Sequence, residues 1–261
     1  MNTLAAHDVT KVYESERRVH ALDEVSMAVK EGEFVVIVGP SGCGKSTLLR
    51  LFAGLIAPTA GTVTYEGTRV TGPSRLRAMV FQQFNLFPWR TALENVMFGL
   101  EMAGVDRDEC RDRAGKALSL VGLDGSFDRY PDALSGGMQQ RVGLARALAV
   151  DPSVLLMDEP FGALDALTRT TLQRELLNIH TRESTTVLFV THDIGEALLL
   201  ADRVLVMLDD PNRITARISV PFDRPRSGRD LETTERFIRL KQQIRAVFRD
   251  DTVAAEIDAY Q

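Results

Sequence analysis

The residues best suited to chemistry begin at Gly39–Thr47, which reads GPSGCGKST. Glycines 39, 42 and 44 let backbone amides turn inward around phosphate oxygens where a Cβ would clash. Pro40, Ser41, Cys43 and Thr47 complete the loop. Its spacing matches G-x-x-x-x-G-K-[ST], with the apolar run Phe34–Val38 before it and the apolar helical stretch LLRLFAGL after it. In that setting Lys45 reaches β- and γ-phosphates, the Ser46 hydroxyl ligates Mg²⁺, and the helix start adds its partial positive charge. An incidental glycine-rich turn is the plain alternative, and the flanking strand and helix argue against it. Cys43 lies inside the loop, where a helix N-terminus would favour its thiolate; it reads as a tolerated small side chain whose reactivity is incidental.

A second pair of groups, Asp158 and Glu159, closes the apolar run Val154–Met157. A carboxylate at the end of a buried parallel strand points into the crevice where α/β sheets bind ligands. Asp158 is then the Mg²⁺ partner, directly or through water, and Glu159 polarises the attacking water as general base. An isolated acidic turn would be a solvated surface feature; the preceding strand and the upstream loop decide against that here.

These groups need rigid elements beneath them. Short apolar runs at 34–38, 154–157, 187–190 and 204–208 read as strands buried on both faces of a mostly parallel sheet. The stretch up to about residue 67 alternates, as in Gly61–Tyr65, and predicts antiparallel strands. From 91 to 150 the pattern is helical, including 91–102 and 107–121, and predicts an inserted helical subdomain. After Pro221 the sequence PFDRPRSGRD reads as a linker. An amphipathic helix follows it, with Phe237, Ile238, Leu240, Ile244, Val247 and Phe248 near helical spacing.

Composition narrows the function. The 261 residues are 44% hydrophobic and 26% charged, ordinary for a globular protein, with a net charge of −5. That charge gives no invitation to nucleic acid, so none is expected as a partner. Two cysteines, Cys43 and Cys110, exclude a disulfide scaffold and a cysteine-based zinc site; Cys110 is expected in ordinary packing. His7, His20 and His180 have no ligand spacing. The N-terminal residues carry charges where a signal peptide needs its apolar core, and no run approaches the ~20 apolar residues of a membrane span. Any membrane part is expected from another chain.

Residues 134–141 read LSGGMQQR, followed by VGLARALAV. With the phosphate loop and the carboxylate pair, this resembles the ATP-binding-cassette (ABC) ATPases over about residues 4–220. The resemblance implies an α/β fold: a P-loop NTPase (RecA-like) core with an N-terminal antiparallel β region and an inserted α-helical subdomain. It divides the chain into an ATPase domain, 1–220, with its helical subdomain at about 91–150, and a C-terminal linker and helix, 221–261. It implies ATP and Mg²⁺ as ligands. Ser135 is a plausible cap of a second helix start, with Gly136 and Gly137 exposing amides. In the family this signature grips the γ-phosphate bound to the opposite subunit, so a head-to-tail dimer of two copies is implied.

Further residues acquire roles from the same resemblance. Gln82 matches the glutamine that contacts Mg²⁺ and the water and senses the membrane partner; the adjacent Gln83 is the weaker candidate. Ala163–Leu164–Asp165 matches the loop that crosses the dimer interface. His192 matches the switch histidine, which contacts the γ-phosphate. Tyr13 matches the adenine-stacking residue, with packing on an edge strand as the alternative. Methionine replaces the usual glutamine at position 138, and no catalytic position is broken.

A lone cassette with these features is typical of bacterial importers, a peripheral subunit on the cytoplasmic face of the inner membrane. Its partners would be integral permease subunits and, indirectly, a solute-binding protein. FNLFPWRTALENVMFG and the tail are similar to the nitrate/sulfonate/taurine importer group. Phe87, Pro88 and Trp89 then lie near the groove for the permease, or else simply pack the helical subdomain. A cassette ATPase acting on nucleic acid or ribosomes is the alternative; the acidic charge argues against it. A kinase or GTPase would leave LSGGMQQR unexplained, and the guanine-reading N-K-x-D is absent.

Overall fold

The computed structural model describes residues 2–14, 18–83, 85–162, 164–209, 212–224, 226, 231–249 and 255–257. They fall into two compact units, Met1–Pro73 with His180–Gln261, and Ser74–Ile179.

In the first unit, β1 (Asn2–Glu14), β2 (Arg18–Lys30), β4 (Ala60–Tyr65) and β5 (Thr68–Arg69) form an antiparallel sheet of order β2-β1-β4-β5. A second sheet runs β11-β10-β9-β3-β8, built from β3 (Phe34–Val38), β8 (Thr186–Thr191), β9 (Arg203–Met207), β10 (Ile214–Ser219) and β11 (Ala255–Ile257). β3 is central, parallel to both β8 and β9. All five residues of β3 and all six of β8 are buried. Strands covered on both faces need apolar side chains at every position, which is why the runs do not alternate. Helices α1 (Lys45–Ala53), α6 (Ile194–Leu200) and α7 (Glu235–Val247) complete this unit. α7 buries Phe237, Leu240, Ile244 and Val247. Ile238, expected on the same face, is 45% exposed: it sits one step around the helix from Phe237, off the stripe that a spacing of three and four defines.

The second unit holds a parallel pair, β6 (Arg77–Val80) with β7 (Val154–Asp158), and the helices α2 (Ala92–Met102), α3 (Arg107–Leu120) and α4 (Gly136–Ala149). Helix α5 (Ala166–Glu183) begins in this unit and ends in the first. The start of α2 is fixed by a reciprocal cap: Glu94 N–H donates to Thr91 Oγ1 (3.2 Å) and Thr91 N–H to Glu94 Oε2 (2.8 Å). The buried Asn95 then ties down the preceding loop, accepting from Phe87 N–H (2.8 Å) and donating to the carbonyls of Phe87, Arg90 and Thr91. The fold class expected from the sequence, a P-loop α/β core with an antiparallel N-terminal region and a helical insert, is the one observed.

Candidate functional site

The phosphate loop leaves the carboxyl end of β3 and enters α1. Val38 is in register with Thr191 of β8 and Val206 of β9, so Gly39 and His192 emerge at one edge of the sheet. Gly39 has no room for a side chain: a Cβ there would stand 2.3 Å from Met207 O and 2.7 Å from Cys43 Sγ. Gly44, the N-cap of α1, takes a φ of +99°, and a Cβ there would meet Ala21 O at 2.2 Å. The loop is thus walled by main chain and cannot accept larger residues at these two points.

Lys45 is buried, its ammonium donating to the carbonyls of Gly39 (2.8 Å) and Pro40 (2.7 Å). Among the described residues no carboxylate lies within ion-pair distance of it. Its one other partner among them is the neutral Cys43 thiol, at 3.8 Å. A buried cation faced by carbonyl dipoles and a thiol is a site that an anion would stabilise. These residues therefore fit a nucleotide phosphate. Ser41 and Gly42 are exposed, while Ser46 and Thr47 are half-buried in the first turn of α1. Cys43 packs as a small side chain, and burial suppresses the reactivity a helix start would lend it. It is fully buried, and desolvation raises its pKa despite the nearby Lys45 charge. Exclusion from water outweighs the helix terminus, and the thiol is packing. Cys110 is likewise buried, its thiol 3.4 Å from Val105 O.

His192 is exposed, between Thr191 at the end of β8 and Asp193, the cap of α6. Asp193 accepts from Gly195 N–H (2.7 Å) and Glu196 N–H (3.2 Å). A cavity of about 450 Å³ is lined by Gly39, Pro40, His192, Leu208, Asp209 and Phe248. Asp209 and Phe248 were not expected here. Asp209 follows the carboxyl end of β9, a position that could have drawn attention; Phe248 reads from the sequence only as part of a helix face. Tyr13 lies half-exposed on β1, with Lys11 Nζ 5.2 Å from its ring centroid.

The second unit carries the remaining candidates. β6 and β7 are parallel with Val80 opposite Met157, so the exposed Gln82 and the buried Asp158 lie at the same strand ends. Glu159, directly after Asp158, adopts a φ of +43°. For a residue with a Cβ this backbone costs on the order of 1–2 kcal/mol, and it turns adjacent carboxylates in different directions. The turn closes with Gly162 N–H donating to Glu159 O at 3.2 Å.

Ser135 caps α4, accepting from Met138 N–H at 3.3 Å, with Ser135 and Gly136 exposed. Gly137 is approached by the start of α5: a Cβ would stand 2.9 Å from Thr168 Cγ2. Asp165 accepts from the amides of Thr168 (3.0 Å) and Leu167 (3.1 Å). Its carboxyl is held below the usual range, first by the Thr168 amide and also by the Thr168 hydroxyl. The signature glycine and Asp165 thus meet at one corner of this unit; Ala163 lies outside the described residues. Phe87 stacks against Phe98 (4.6 Å between centroids), the Arg90 guanidinium stands 5.2 Å from the Phe98 ring, and Trp89 is 70% exposed.

A cradle between a parallel strand and a helix, with a glycine-rich helix start elsewhere in the chain, defines an ATP-binding cassette. The ABC transporter family matches residues 22–162. An uncharacterized ABC transporter ATP-binding protein of Methanocaldococcus jannaschii is 48% identical over 251 residues, 96% of this chain and 92% of its own. A taurine import ATP-binding protein TauB of Chromobacterium violaceum is 50% identical over 230 residues, 87% of this chain and 88% of its own. Among solved structures, a dimeric post-hydrolysis ATP-binding cassette bound to ADP and Pi matches with a TM-score of 0.77 and 36% identity, covering 84% of this chain and 100% of that one. The chain belongs to the ABC transporter family, as an ATP-binding subunit with ATPase activity.

Proposed function

We propose that this chain is the ATP-hydrolysing motor of an ABC importer, working as a head-to-tail pair on the cytoplasmic face of the inner membrane. The observation that carries the reading is the buried Lys45, held at the centre of a main-chain-walled loop with no carboxylate partner among the described residues. The importer assignment is supported by the likeness to taurine import ATP-binding proteins, of which a second, from Burkholderia thailandensis, is 52% identical over 86% of this chain. Among the described residues no helix is long and apolar enough to cross a membrane. The permease is therefore assigned to separate chains, with Phe87, Pro88 and Trp89 in the surface that meets it, and a solute-binding protein acts beyond it. Residues 1–220 form the ATPase domain, with 221–261 as a C-terminal appendage.

Gly39 to Thr47 hold the triphosphate, and Lys45 offsets the charge of its β- and γ-groups. Ser46, Asp158 and Gln82 are the residues that would hold Mg²⁺, which when bound draws charge from the phosphate oxygens. Glu159 accepts the proton of the attacking water, and His192 orients the γ-phosphate. Tyr13 stacks on adenine. Ser135, Gly136, Gly137 and Asp165 complete the site of the opposite copy. Taurine, another sulfonate or nitrate is the proposed solute.

Glu159→Gln should bind ATP, dimerise and lose turnover by about 10²- to 10⁴-fold, the range of general-base catalysis. Normal hydrolysis by this variant would remove Glu159 from the role. Reconstitution with the permease and binding protein tests the solute: taurine-stimulated ATPase is expected, and stimulation only by a chemically unrelated solute would sink that part. Co-purification with ribosomes or nucleic acid and no membrane protein would overturn the transporter reading.

A further inference from the structure

The segment after β10 grips α6 at both ends. At the C-terminal end, the Arg226 side chain is 2% exposed. Its guanidinium donates to the carbonyls of Ala201 (2.6 Å), Leu199 (3.1 Å) and Leu198 (3.4 Å), and back to Phe222 O (2.8 Å). Arg224 donates to Leu200 O (2.9 Å) and to Asp202 Oδ1 (2.8 Å). These are the carbonyls a helix leaves unsatisfied, at the end where its dipole favours positive charge. Burial and the neighbouring Arg224 lower the Arg226 pKa to about 10, which leaves it charged at neutral pH.

At the other end of α6, a Cβ added at Gly195 would stand 3.3 Å from Lys241 Nζ of α7 and 3.2 Å from Asp193 Oδ1, so the Lys241 side chain reaches over the first turn. Phe248, the C-cap of α7, lines the cavity that also contains Gly39, Pro40 and His192. α6 has only seven residues and starts two positions after His192. A helix that short is not stable alone, and its drift would carry His192 with it.

We infer that the C-terminal segment is a brace that sets the position of His192 against the phosphate loop, with Arg226 and Phe248 as its positioning residues. The brace rests on the reading of His192 given above. Because a misplacement of about 1 Å in a catalytic array costs on the order of 10²-fold in rate, a loosened α6 should lower kcat rather than nucleotide affinity.

The sequence has four histidines, so selective ¹⁵N labelling of their rings, with His192→Ala as the assignment control, identifies the His192 signal. In a Glu159→Gln background, Mg·ATP should shift that signal more than Mg·ADP does, and Phe248→Ala or Arg226→Gln should largely erase the difference. With Glu159 intact, both variants should lose about tenfold in kcat with KM for ATP unchanged, and Arg226→Lys should recover most of it. Phe248 is only half-buried, so its variant reports without unfolding the core. An unchanged His192 response and wild-type turnover in both variants, with His192→Ala inactive, would overturn the brace and leave the role of His192 standing. Normal turnover by His192→Ala would instead remove the role of His192 itself.

Discussion

The glycine-rich starts of α1 and α4 are finished to different degrees. At α1 the loop is walled by main chain. Gly39 lies against Met207 O, Gly44 against Ala21 O, and Lys45 is already hydrogen-bonded into place. At α4 the wall is thin: Ser135 supplies one 3.3 Å cap, Gly136 is exposed, and the nearest neighbours of Gly137 are side-chain atoms of Thr168 and Leu164. A cradle enclosed by backbone can bind without help. An exposed helix end offers amides but no enclosure, so something from outside must complete it. The difference matches the proposed division of labour between copies.

Substitution at the two glycines puts this comparison to its severest test. Gly39→Ala forces a methyl onto a backbone carbonyl that no rotamer change can move, so a loss of about 3 kcal/mol or more is expected, together with nucleotide binding. Thermal melting and titration with a fluorescent ATP analogue would measure both. Gly137→Ala meets side-chain atoms rather than backbone, the Thr168 methyl nearest, and a loss of about 1 kcal/mol is expected. ATP binding to the single chain should persist while dimer turnover falls. Equal effects on ATP binding at the two positions would break the comparison.

The surroundings of β3 offer a subtler test. His180 packs edge-on to Phe34 at 5.2 Å, Nδ1 is 2.8 Å from Thr185 O, and Asp202, Arg224 and Arg226 surround it. Burial and then the Arg224 charge lower its pKa below the usual 6.5. The unfolded chain therefore binds a proton that the folded chain resists, so stability falls as pH drops below 6.5 and is fully present above it. Relative to the base-catalysed intrinsic rate, amide protection at β3 should fall in that window, and His180→Phe should flatten the response. A pH-independent protection factor at β3 would count against it. The smallest expected effect is at Cys43: alkylation of the native protein should be far slower than of a free thiol, and Cys43→Ser should change stability by only about 1 kcal/mol. Rapid labelling would show that the helix start activates the thiol despite its burial.

The strand, glycine-rich loop and helix at 34–53 were legible because they are local, all within 20 contiguous residues. The same holds for β7 and its two carboxylates. What could not be read depends on distant partners. The burial of Cys43 comes from its surroundings in the fold, which no nearby residue announces. Arg224 and Arg226 sit in a proline- and charge-rich stretch that reads as linker, yet they bond carbonyls more than 20 positions away. Phe248 has the spacing of a core residue and instead faces the cavity beside His192. Ile238 shows the converse, an apolar residue left outside because helical geometry, not hydrophobicity, assigns the face.

The positive φ of Glu159 has one more consequence. At that position a glycine would fit the backbone with less strain, so a carboxylate there is held at a conformational cost. A screen that rewarded backbone ease alone would accept Glu159→Gly and discard the proposed base. Selection that keeps a carboxylate there is selecting for work at the expense of backbone ease, and position 159 is where the two demands can be weighed against each other.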